Sequence, residues 1–166
     1  MLKEVDIYTD GASSGNPGPG GYGVVLLYNN HRKELSGGFR KTTNNRMELK
    51  AVIEGFKALK SKCKVTIYSD SKYIVDAVEK GWLDNWARKG WVRNKKDKLS
   101  NPDLWRELYA LLKEHETEFK WVEGHKGNVE NERCDLMAVK ASQKKNLPPD
   151  TNFELNETSG TFQFNS

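Results

Sequence analysis

Residues 7 to 11, Ile-Tyr-Thr-Asp-Gly, and residues 67 to 71, Ile-Tyr-Ser-Asp-Ser, repeat one pattern, a β-prone run that ends in a hydroxyl residue and an aspartate. Functional groups gather at the carboxyl ends of parallel strands, so neighbouring strands of this kind would bring Asp10 and Asp70 to one edge of a sheet. Two adjacent carboxylates need a proton or a cation between them, and at neutral pH a divalent ion is the commoner solution. The alternative is that Asp10 begins a turn and Asp70 caps a helix.

The sequence around this repeat predicts an α/β fold with the element order βββαβααβα. Strand patterns that form an antiparallel meander lie at residues 3 to 10, 22 to 28 and 34 to 41, with a glycine- and proline-rich turn at residues 11 to 21. The later elements are a helix at 46 to 60, a strand at 65 to 69, helices at 71 to 80 and 103 to 115, a strand at 118 to 122 and a helix at 131 to 144. Because a helix precedes it, the fourth strand is expected to run parallel to the first.

The composition is that of one globular domain. The chain has 166 residues, of which 36% are hydrophobic and 30% charged, and no apolar stretch has the length of a membrane span. Its amino terminus lacks the form of a signal peptide, so we expect a cytoplasmic protein without membrane contact. Cys63 and Cys134 lack metal-site spacing and are predicted to be buried thiols. We predict a catalytic domain over residues 1 to 145 and a polar extension, mobile or loosely docked, over residues 146 to 166.

Further acids are candidates for the same site. Glu48 lies on the side of its helix that faces the sheet, where a charge is costly without a partner. The alternative is a first-turn glutamate that the helix dipole favours. The last helix offers Glu130, Glu132 and Asp135, and periodicity does not choose among them.

His125 lies between two glycine-containing segments in the loop before the last helix. A histidine in a flexible loop beside a carboxylate cluster can move protons to or from a metal-bound water. The alternative is a solvated loop histidine.

Two features indicate contact with nucleic acid. Residues 82 to 98 interleave three tryptophans with a basic run, and from Arg88 to Lys98 there are six basic residues against one acid. Cations bind phosphates, and flat apolar rings pack on sugars or bases. Asn16, Asn44 and Asn45 supply amides that suit minor-groove edges and 2'-hydroxyls, with ordinary turn chemistry as the alternative.

Five motifs, in order, resemble the type 1 ribonuclease H family in its bacterial form. They are Tyr8-Thr9-Asp10-Gly11 with the Gly-Asn-Pro-Gly turn, residues 43 to 49, residues 68 to 71, residues 82 to 98 with Asn101 and residues 103 to 105 behind them, and Gly124-His125 through residues 131 to 135. The resemblance implies a ribonuclease H-like fold, in which helices flank a mixed five-stranded sheet. It also implies endonucleolytic cleavage of the RNA strand of an RNA-DNA hybrid, which leaves 5'-phosphate and 3'-hydroxyl ends.

The resemblance implies a role for each matched residue. It selects Asp135 over Glu132 as the fourth acid, so that the catalytic metal ligands are Asp10, Glu48, Asp70 and Asp135, with His125 as the proton-handling residue. Two Mg²⁺ ions about 4 Å apart, for which Mn²⁺ can substitute, activate a water and stabilise the departing 3'-oxygen. The implied substrate contacts are Asn16, Asn44 and Asn45 at the minor groove, Thr43 and Asn101 at a DNA phosphate, and Trp82, Trp86, Lys89, Trp91, Lys95 and Lys96 in the basic segment.

Two matched positions depart from the family pattern. Ser13 stands where many members have cysteine, and Lys72 where many have glutamine. Lys72 stays a substrate-binding candidate that can reach a phosphate instead of a base edge. We expect a monomer without an obligate protein partner, and no processivity of the kind that an additional amino-terminal hybrid-binding domain confers.

Two other functions compete with this interpretation. One is another nuclease of the same fold, such as a resolvase or an integrase-like DNA nuclease, against which the basic segment and the asparagines argue. The other is a non-catalytic hybrid-binding module. The acid set argues against it, because clustered negative charges near a phosphate do not improve binding.

Overall fold

The computed structural model of the protein describes residues 1 to 164, with side chains as far as residue 157. Its strands β1 to β5 are Lys3–Ser13, Gly18–Tyr28, His31–Thr42, Cys63–Ser69 and Glu116–Trp121. Its helices α1 to α6 are Asn44–Lys57, Lys72–Glu79, Trp82–Arg88, Pro102–Leu112, Val129–Ser142 and Thr151–Phe164. None of the described helices is both long and apolar enough to cross a membrane.

The strands form one mixed sheet with the order β3-β2-β1-β4-β5, which confirms the predicted five-stranded sheet. β1 pairs with β2, and β2 with β3, in antiparallel orientation. β1 pairs with β4 in parallel orientation, as the repeat predicts, and Thr9 is the partner of Ser69. Asp10 and Asp70, the residues that follow this last pair in sequence, therefore lie at the same edge of the sheet.

The two faces of the sheet bury different helices. Alternate residues of β1 and β2, among them Ile7 and Val24, pack in the large core that includes α1. Val25, on the other face, packs against Cys134 and Met137 of α5. Both cysteines are buried free thiols, as predicted.

The observed order has two helices that the predicted order lacks. α3 lies inside the basic segment, and its seven residues are too few for a clear apolar periodicity. α6 carries an exposed Leu155 among polar residues and so lacks an apolar stripe that a sequence pattern would reveal. The glycine-rich turn is also shorter than predicted, since β1 and β2 extend into it and leave only residues 14 to 17 unpaired.

The expectation of a mobile or loosely docked extension is wrong for the first part of that segment. Asp150 is only 8% exposed, and its carboxylate accepts hydrogen bonds from Arg46 of α1 and from the Thr42 hydroxyl of β3. The Pro148 carbonyl accepts a hydrogen bond of 2.9 Å from the backbone N–H of Arg40. Polar composition suggested solvation, but the polar groups find partners of opposite charge on the domain.

The boundary between a catalytic domain over residues 1 to 145 and an extension from residue 146 stays a prediction. Residues 165 and 166 of that extension lie outside the described residues.

Candidate active site

Three carboxyl groups from three elements meet where the pairing of β1 with β4 ends. Asp10 belongs to β1, Glu48 to α1, and Asp70 directly follows β4. One oxygen of each side chain lies within 4.8 Å of an oxygen of the other two. The sheet register and the crossover helix thus bring together residues that are sixty positions apart in sequence.

Close packing of α1 on β1 sets the position of Glu48. The Thr43 hydroxyl caps α1 by accepting a hydrogen bond of 3.2 Å from the backbone N–H of Arg46. A Cβ at Gly11 would overlap the backbone of Met47 and Glu48. The missing side chain at Gly11 therefore lets α1 approach β1 directly beside Asp10.

Gly11→Ala is expected to push α1 away from β1 and to displace Glu48. Overpacking of this kind costs about 1 to 3 kcal/mol of folding free energy. A displacement of about 1 Å at a catalytic group lowers the rate roughly 100-fold. Urea denaturation and hybrid cleavage measure the two effects, and an unchanged unfolding midpoint together with normal kcat would contradict this account of the packing.

Burial and mutual repulsion make this acid cluster electrostatically unfavourable in the protein alone. Asp10 is 4% and Glu48 6% exposed. Burial and the charge of Asp70 raise the pKa of Asp10 to about 8, although the Gly11 N–H donates a hydrogen bond of 2.9 Å to its carboxylate. Burial and the charge of Asp10 raise the pKa of Glu48 well above its ordinary value.

The cluster has the donor set that a hard divalent cation requires. Among the described residues, Glu48 Oε2 has no hydrogen-bond partner although it is buried. A buried carboxylate oxygen without a partner is costly, and a cation would both bind it and offset the repulsion between the acids. Carboxylate oxygens are the ligands that Mg²⁺ and Mn²⁺ prefer, so the residues present fit such an ion.

The three acids of α5 have different partners. The Glu130 carboxylate pairs with Arg32 at 2.7 Å, and the Glu132 carboxylate accepts a hydrogen bond from a backbone N–H of the preceding loop. The charge of Asp135 contributes to the raised pKa of Asp10. Of the three acids, Asp135 is thus the one whose charge acts on Asp10, although its oxygens lie outside the group of three. Its role as a metal ligand stays a prediction.

The loop that carries His125 passes against Asp70. A Cβ on Gly124 would lie 2.9 Å from Asp70 Oδ2. His125 itself is exposed and has a left-handed backbone conformation, with φ at +59°. The loop thus runs beside the acids with an exposed histidine, which is what the predicted proton-handling role requires.

Lys72 and Trp121 also lie near Asp70. The indole N–H of Trp121 donates a hydrogen bond of 3.1 Å to the Asp70 carbonyl, and Lys72 Nζ is 5.9 Å from the centre of that ring. Trp121 is exposed. Lys72 is exposed at the beginning of α2.

The three asparagines predicted to read the minor groove are exposed near the amino end of α1. The Asn16 side-chain oxygen accepts a hydrogen bond of 3.1 Å from the backbone N–H of Asn44. This contact joins the β1–β2 turn to α1, and Asn45 follows on the first turn of the helix. All three are therefore available to a ligand on one surface.

The basic segment from Trp82 to Lys98, which we call the handle, is a projection anchored by aromatic residues. Trp86 is 6% exposed and packs edge-on against Trp105, with ring centroids 5.1 Å apart. This burial leaves little of the Trp86 ring accessible, and its predicted contact with substrate stays a prediction. Trp91 is half-buried and packs edge-on against Tyr109.

The charged tip of the handle is ordered and exposed. The Asn94 side chain accepts hydrogen bonds of 2.8 Å from the backbone N–H groups of Lys96 and Asp97. Lys89, Lys95 and Lys96 are all exposed. Trp82, 38% exposed, is the tryptophan of the handle that offers the most surface to a ligand.

Sequence reasoning missed one functional feature, a buried charge cluster around Arg46. Arg46 is 3% exposed and pairs with both Asp103 and Asp150. It also donates a hydrogen bond of 3.3 Å to the side-chain oxygen of Asn101. Arginine inside the Thr-Asn-Asn-Arg motif was the only local signal, since its acidic partners are more than fifty residues away.

Comparisons with known proteins identify the family of the chain. The family model described as RNase H matches residues 2–143. The protein is 61% identical over 152 residues to the ribonuclease H of Rippkaea orientalis, a match that covers 92% of this chain and 93% of the relative. It is 61% identical over 149 residues to that of Desulforamulus reducens, covering 90% and 94%. The crystal structure of LC9-RNase H1, a type 1 RNase H with the type 2 active-site motif, superposes with a TM-score of 0.77 at 35% identity, covering 86% of this chain and 73% of that one.

Proposed function

Because the chain belongs to the RNase H family, whose function is endonucleolytic hydrolysis of RNA in RNA-DNA hybrids, we propose that it performs this reaction at the Asp10, Glu48 and Asp70 cluster. The observation that carries the proposal is the buried, unpartnered Glu48 oxygen beside two further carboxylates. A purely structural site would not retain such a group, because it destabilises the fold.

The cluster would hold the divalent ions, with Asp135 as the fourth ligand. We propose Mg²⁺ as the ion, with two bound in the presence of substrate and Mn²⁺ able to substitute. When bound, the ions supply Lewis-acid activation of the attacking water and charge stabilisation at the leaving oxygen. The residues themselves provide negative charge held by rigid elements, with Asp10 and Asp70 fixed by the sheet and Glu48 by the packing of α1.

His125 would move protons at the edge of this cluster. Its loop lies next to Asp70, and its exposed position would let the imidazole reach both the site and bulk water. An imidazole changes its charge near neutral pH, which suits it to accept and release a proton in each turnover.

The substrate surface would combine the asparagines beside α1 with the exposed handle. Amide groups at Asn16, Asn44 and Asn45 can donate to and accept from minor-groove edges and 2'-hydroxyls. Thr43 and Asn101 would bind a DNA phosphate, and Lys72 an RNA phosphate near Asp70. The handle lysines Lys89, Lys95 and Lys96 would bind the DNA backbone, with Trp82 and Trp91 against sugars.

We also propose a cytoplasmic monomer without an obligate protein partner. Two buried free thiols fit a reducing compartment. Sedimentation at assay concentrations tests the oligomeric state, and a stable dimer would refute this part of the proposal.

One substrate panel tests the proposed function against its alternatives. The protein is incubated with a labelled RNA-DNA hybrid, the matching duplex DNA and the matching duplex RNA, with Mg²⁺ and with chelator. We expect cuts only in the hybrid RNA and only with metal, with 5'-phosphate ends. Cleavage of duplex DNA would favour a DNA nuclease of the same fold, and hybrid binding without cleavage in Mg²⁺ or Mn²⁺ would favour a binding module.

Lys95→Ala is expected to weaken binding to every hybrid sequence to a similar extent. A phosphate contact carries no sequence information, and its loss lowers the salt slope of binding by about 1. Fluorescence anisotropy between low and moderate salt measures this slope. Lys62→Ala is the matched control, because Lys62 is exposed just before β4 and so at the sheet edge opposite the acids. Equal slopes for wild type and Lys95→Ala would exclude a phosphate contact at Lys95.

A further inference from the structure

A buried guanidinium links the first turn of α1 to the carboxyl-terminal segment. Arg46 forms two hydrogen bonds with Asp103, at 2.9 and 2.8 Å, and two with Asp150, at 2.7 and 3.0 Å. Burial opposes the charge of Arg46, but these hydrogen bonds more than offset it and raise the pKa of the guanidinium. Thr42 adds a hydrogen bond of 2.7 Å to Asp150. The position of the guanidinium is therefore fixed from both sides.

Arg46 contacts both residues of the proposed DNA-phosphate pocket. Its Nη1 donates to the Asn101 side-chain oxygen, and a guanidinium can only donate, so the amide oxygen of Asn101 must face inward. Its backbone N–H donates to the Thr43 hydroxyl oxygen, which occupies a lone pair and leaves the hydroxyl hydrogen available. Within the described part of the chain, the Asn101 amide nitrogen donates no hydrogen bond. Both pocket residues thus keep a hydrogen-bond donor that a phosphate oxygen could accept from.

Asn101 depends on this contact more than a helical residue would. It precedes α4 with a left-handed backbone, φ at +57°, and its side chain makes no capping hydrogen bond to the helix. Among the described residues, only the guanidinium restrains the orientation of its amide. If Arg46 shifts, the amide is free to rotate and to turn its oxygen toward the phosphate.

We propose that Asp150 is a positioning residue for this pocket, because it holds the Arg46 guanidinium that orients the Asn101 amide toward a DNA phosphate. The inference rests on the proposed function, since it concerns the proposed phosphate site. Through Asp150, the segment of residues 146 to 157 would affect substrate binding indirectly, by way of Arg46. Asp150 acts from more than 100 residues away in sequence.

Charge alone predicts the opposite effect, which makes the proposal testable. One guanidinium faces two carboxylates, so the cluster carries a net negative charge that repels a phosphate. Removal of the Asp150 charge would therefore strengthen hybrid binding if electrostatics dominated. If positioning dominates, the same substitution weakens binding.

The test compares Asp150→Asn with wild type on a hybrid whose DNA strand carries one uncharged methylphosphonate at successive positions. On the unmodified hybrid we expect KM to rise about 5- to 10-fold, the loss of roughly one good phosphate contact, with kcat within about twofold. A methylphosphonate at one position should raise the KM of wild type. With the methylphosphonate at that position, Asp150→Asn should have a KM little higher than that of wild type. Glu154→Gln, in the same segment but on an exposed ion pair with Arg40, is the matched control and should behave like wild type.

Each outcome decides the proposal. An unchanged or lower KM in folded Asp150→Asn overturns the proposal. A rise in KM also overturns it if the effects of the substitution and of the methylphosphonate add at every position. If Asp150→Asn is unfolded at the assay temperature, Asp150→Glu keeps the charge but shifts the carboxylate, and it should show the same non-additive loss to a smaller extent. Additive or absent loss there also overturns the proposal. A wild-type protein that cleaves no hybrid would instead refute the proposed function.

Discussion

Asp10→Asn is expected to lower kcat for hybrid cleavage by about three orders of magnitude or more, with Kd for the hybrid within about threefold. Asparagine keeps the size of the side chain but removes the charge and one good metal-ligand oxygen. An oxygen of Asp10 lies within 4.8 Å of an oxygen of both Glu48 and Asp70, so the loss of Asp10 affects the binding of any ion held there. Single-turnover kinetics and anisotropy separate the two effects.

The same variant is expected to be more stable than wild type when no metal is present. The folded-state pKa of Asp10, about 8, lies above its ordinary value of 3.8, so between these values the folded protein holds the proton more tightly than the unfolded chain. This contribution to stability is full below about pH 4 and is lost as pH rises through 8. In chelator at pH 8 to 9, the free energy of unfolding of Asp10→Asn should therefore be about 1 to 3 kcal/mol higher than that of wild type. This is the usual range for removing an unsatisfied buried group.

Metal should reverse that difference. An ion that binds only the folded state stabilises it by mass action, so Mg²⁺ should raise the melting temperature of wild type far more than that of Asp10→Asn. Asp6→Asn, an exposed position on the same strand, is the matched control and should follow wild type in both conditions. Normal cleavage by Asp10→Asn, or equal stabilisation of both proteins by Mg²⁺, would show that Asp10 is not in the metal site.

Arg46→Met is expected to lower the free energy of unfolding by about 3 to 5 kcal/mol at pH 7. Methionine fills similar volume, but the half-buried Asp103 and the buried Asp150 then remain as carboxylates without a cation. Domains of this size have roughly 5 to 15 kcal/mol of stability in total, so the loss is a large fraction. Urea denaturation followed by circular dichroism measures it.

The contribution of Asp103 to the pH dependence of stability should have the opposite sign in this variant. Burial raises the pKa of Asp103, but hydrogen bonds and the charge of Arg46 lower it overall, so in wild type this group loses its contribution to stability as pH falls toward acid. Without Arg46, burial dominates and the folded-state pKa rises. The stability deficit of Arg46→Met relative to wild type should therefore shrink as pH is lowered from 7 to 5.

A rescue separates charge from packing in this cluster. Adding Asp103→Asn and Asp150→Asn to Arg46→Met removes both buried charges, and we expect at least half of the lost stability to return. Replacement of a complete buried ion cluster by neutral groups is often near neutral, whereas removal of one partner is not. No recovery in the triple variant would mean that shape, and not charge compensation, explains the cost.

The acid site could largely be predicted because local patterns encode it. The repeated Tyr-hydroxyl-Asp pattern marks the point where two parallel strands stop pairing, and their register brings Asp10 and Asp70 together. β1 itself continues to Ser13, which the pattern did not indicate. Helical periodicity placed Glu48 on the inner face. Asp135 was different, because three acids share its helix and only their tertiary partners distinguish them.

The exposure of the handle tryptophans and the docking of the carboxyl-terminal segment depend on tertiary contacts that have no local pattern in the sequence. Trp82 and Trp86 have the same chemistry in the sequence, yet Trp86 is buried against Trp105 and Trp82 is exposed, because only tertiary packing decides which ring enters the core. Docking of the carboxyl-terminal segment rests on Asp150 and Arg46, 104 residues apart, and no periodic pattern connects them.

Anomalous diffraction from crystals grown with Mn²⁺ tests the central claim most directly. The crystals would contain a hybrid with a 2'-deoxynucleotide at the cleavage position, so that the substrate stays intact. The account predicts anomalous peaks bounded by the carboxylates of Asp10, Glu48 and Asp70, next to a phosphate of the strand that is cut. Bound hybrid with no Mn²⁺ peak at these three residues, or with its cleavable phosphate at another metal site, would contradict it.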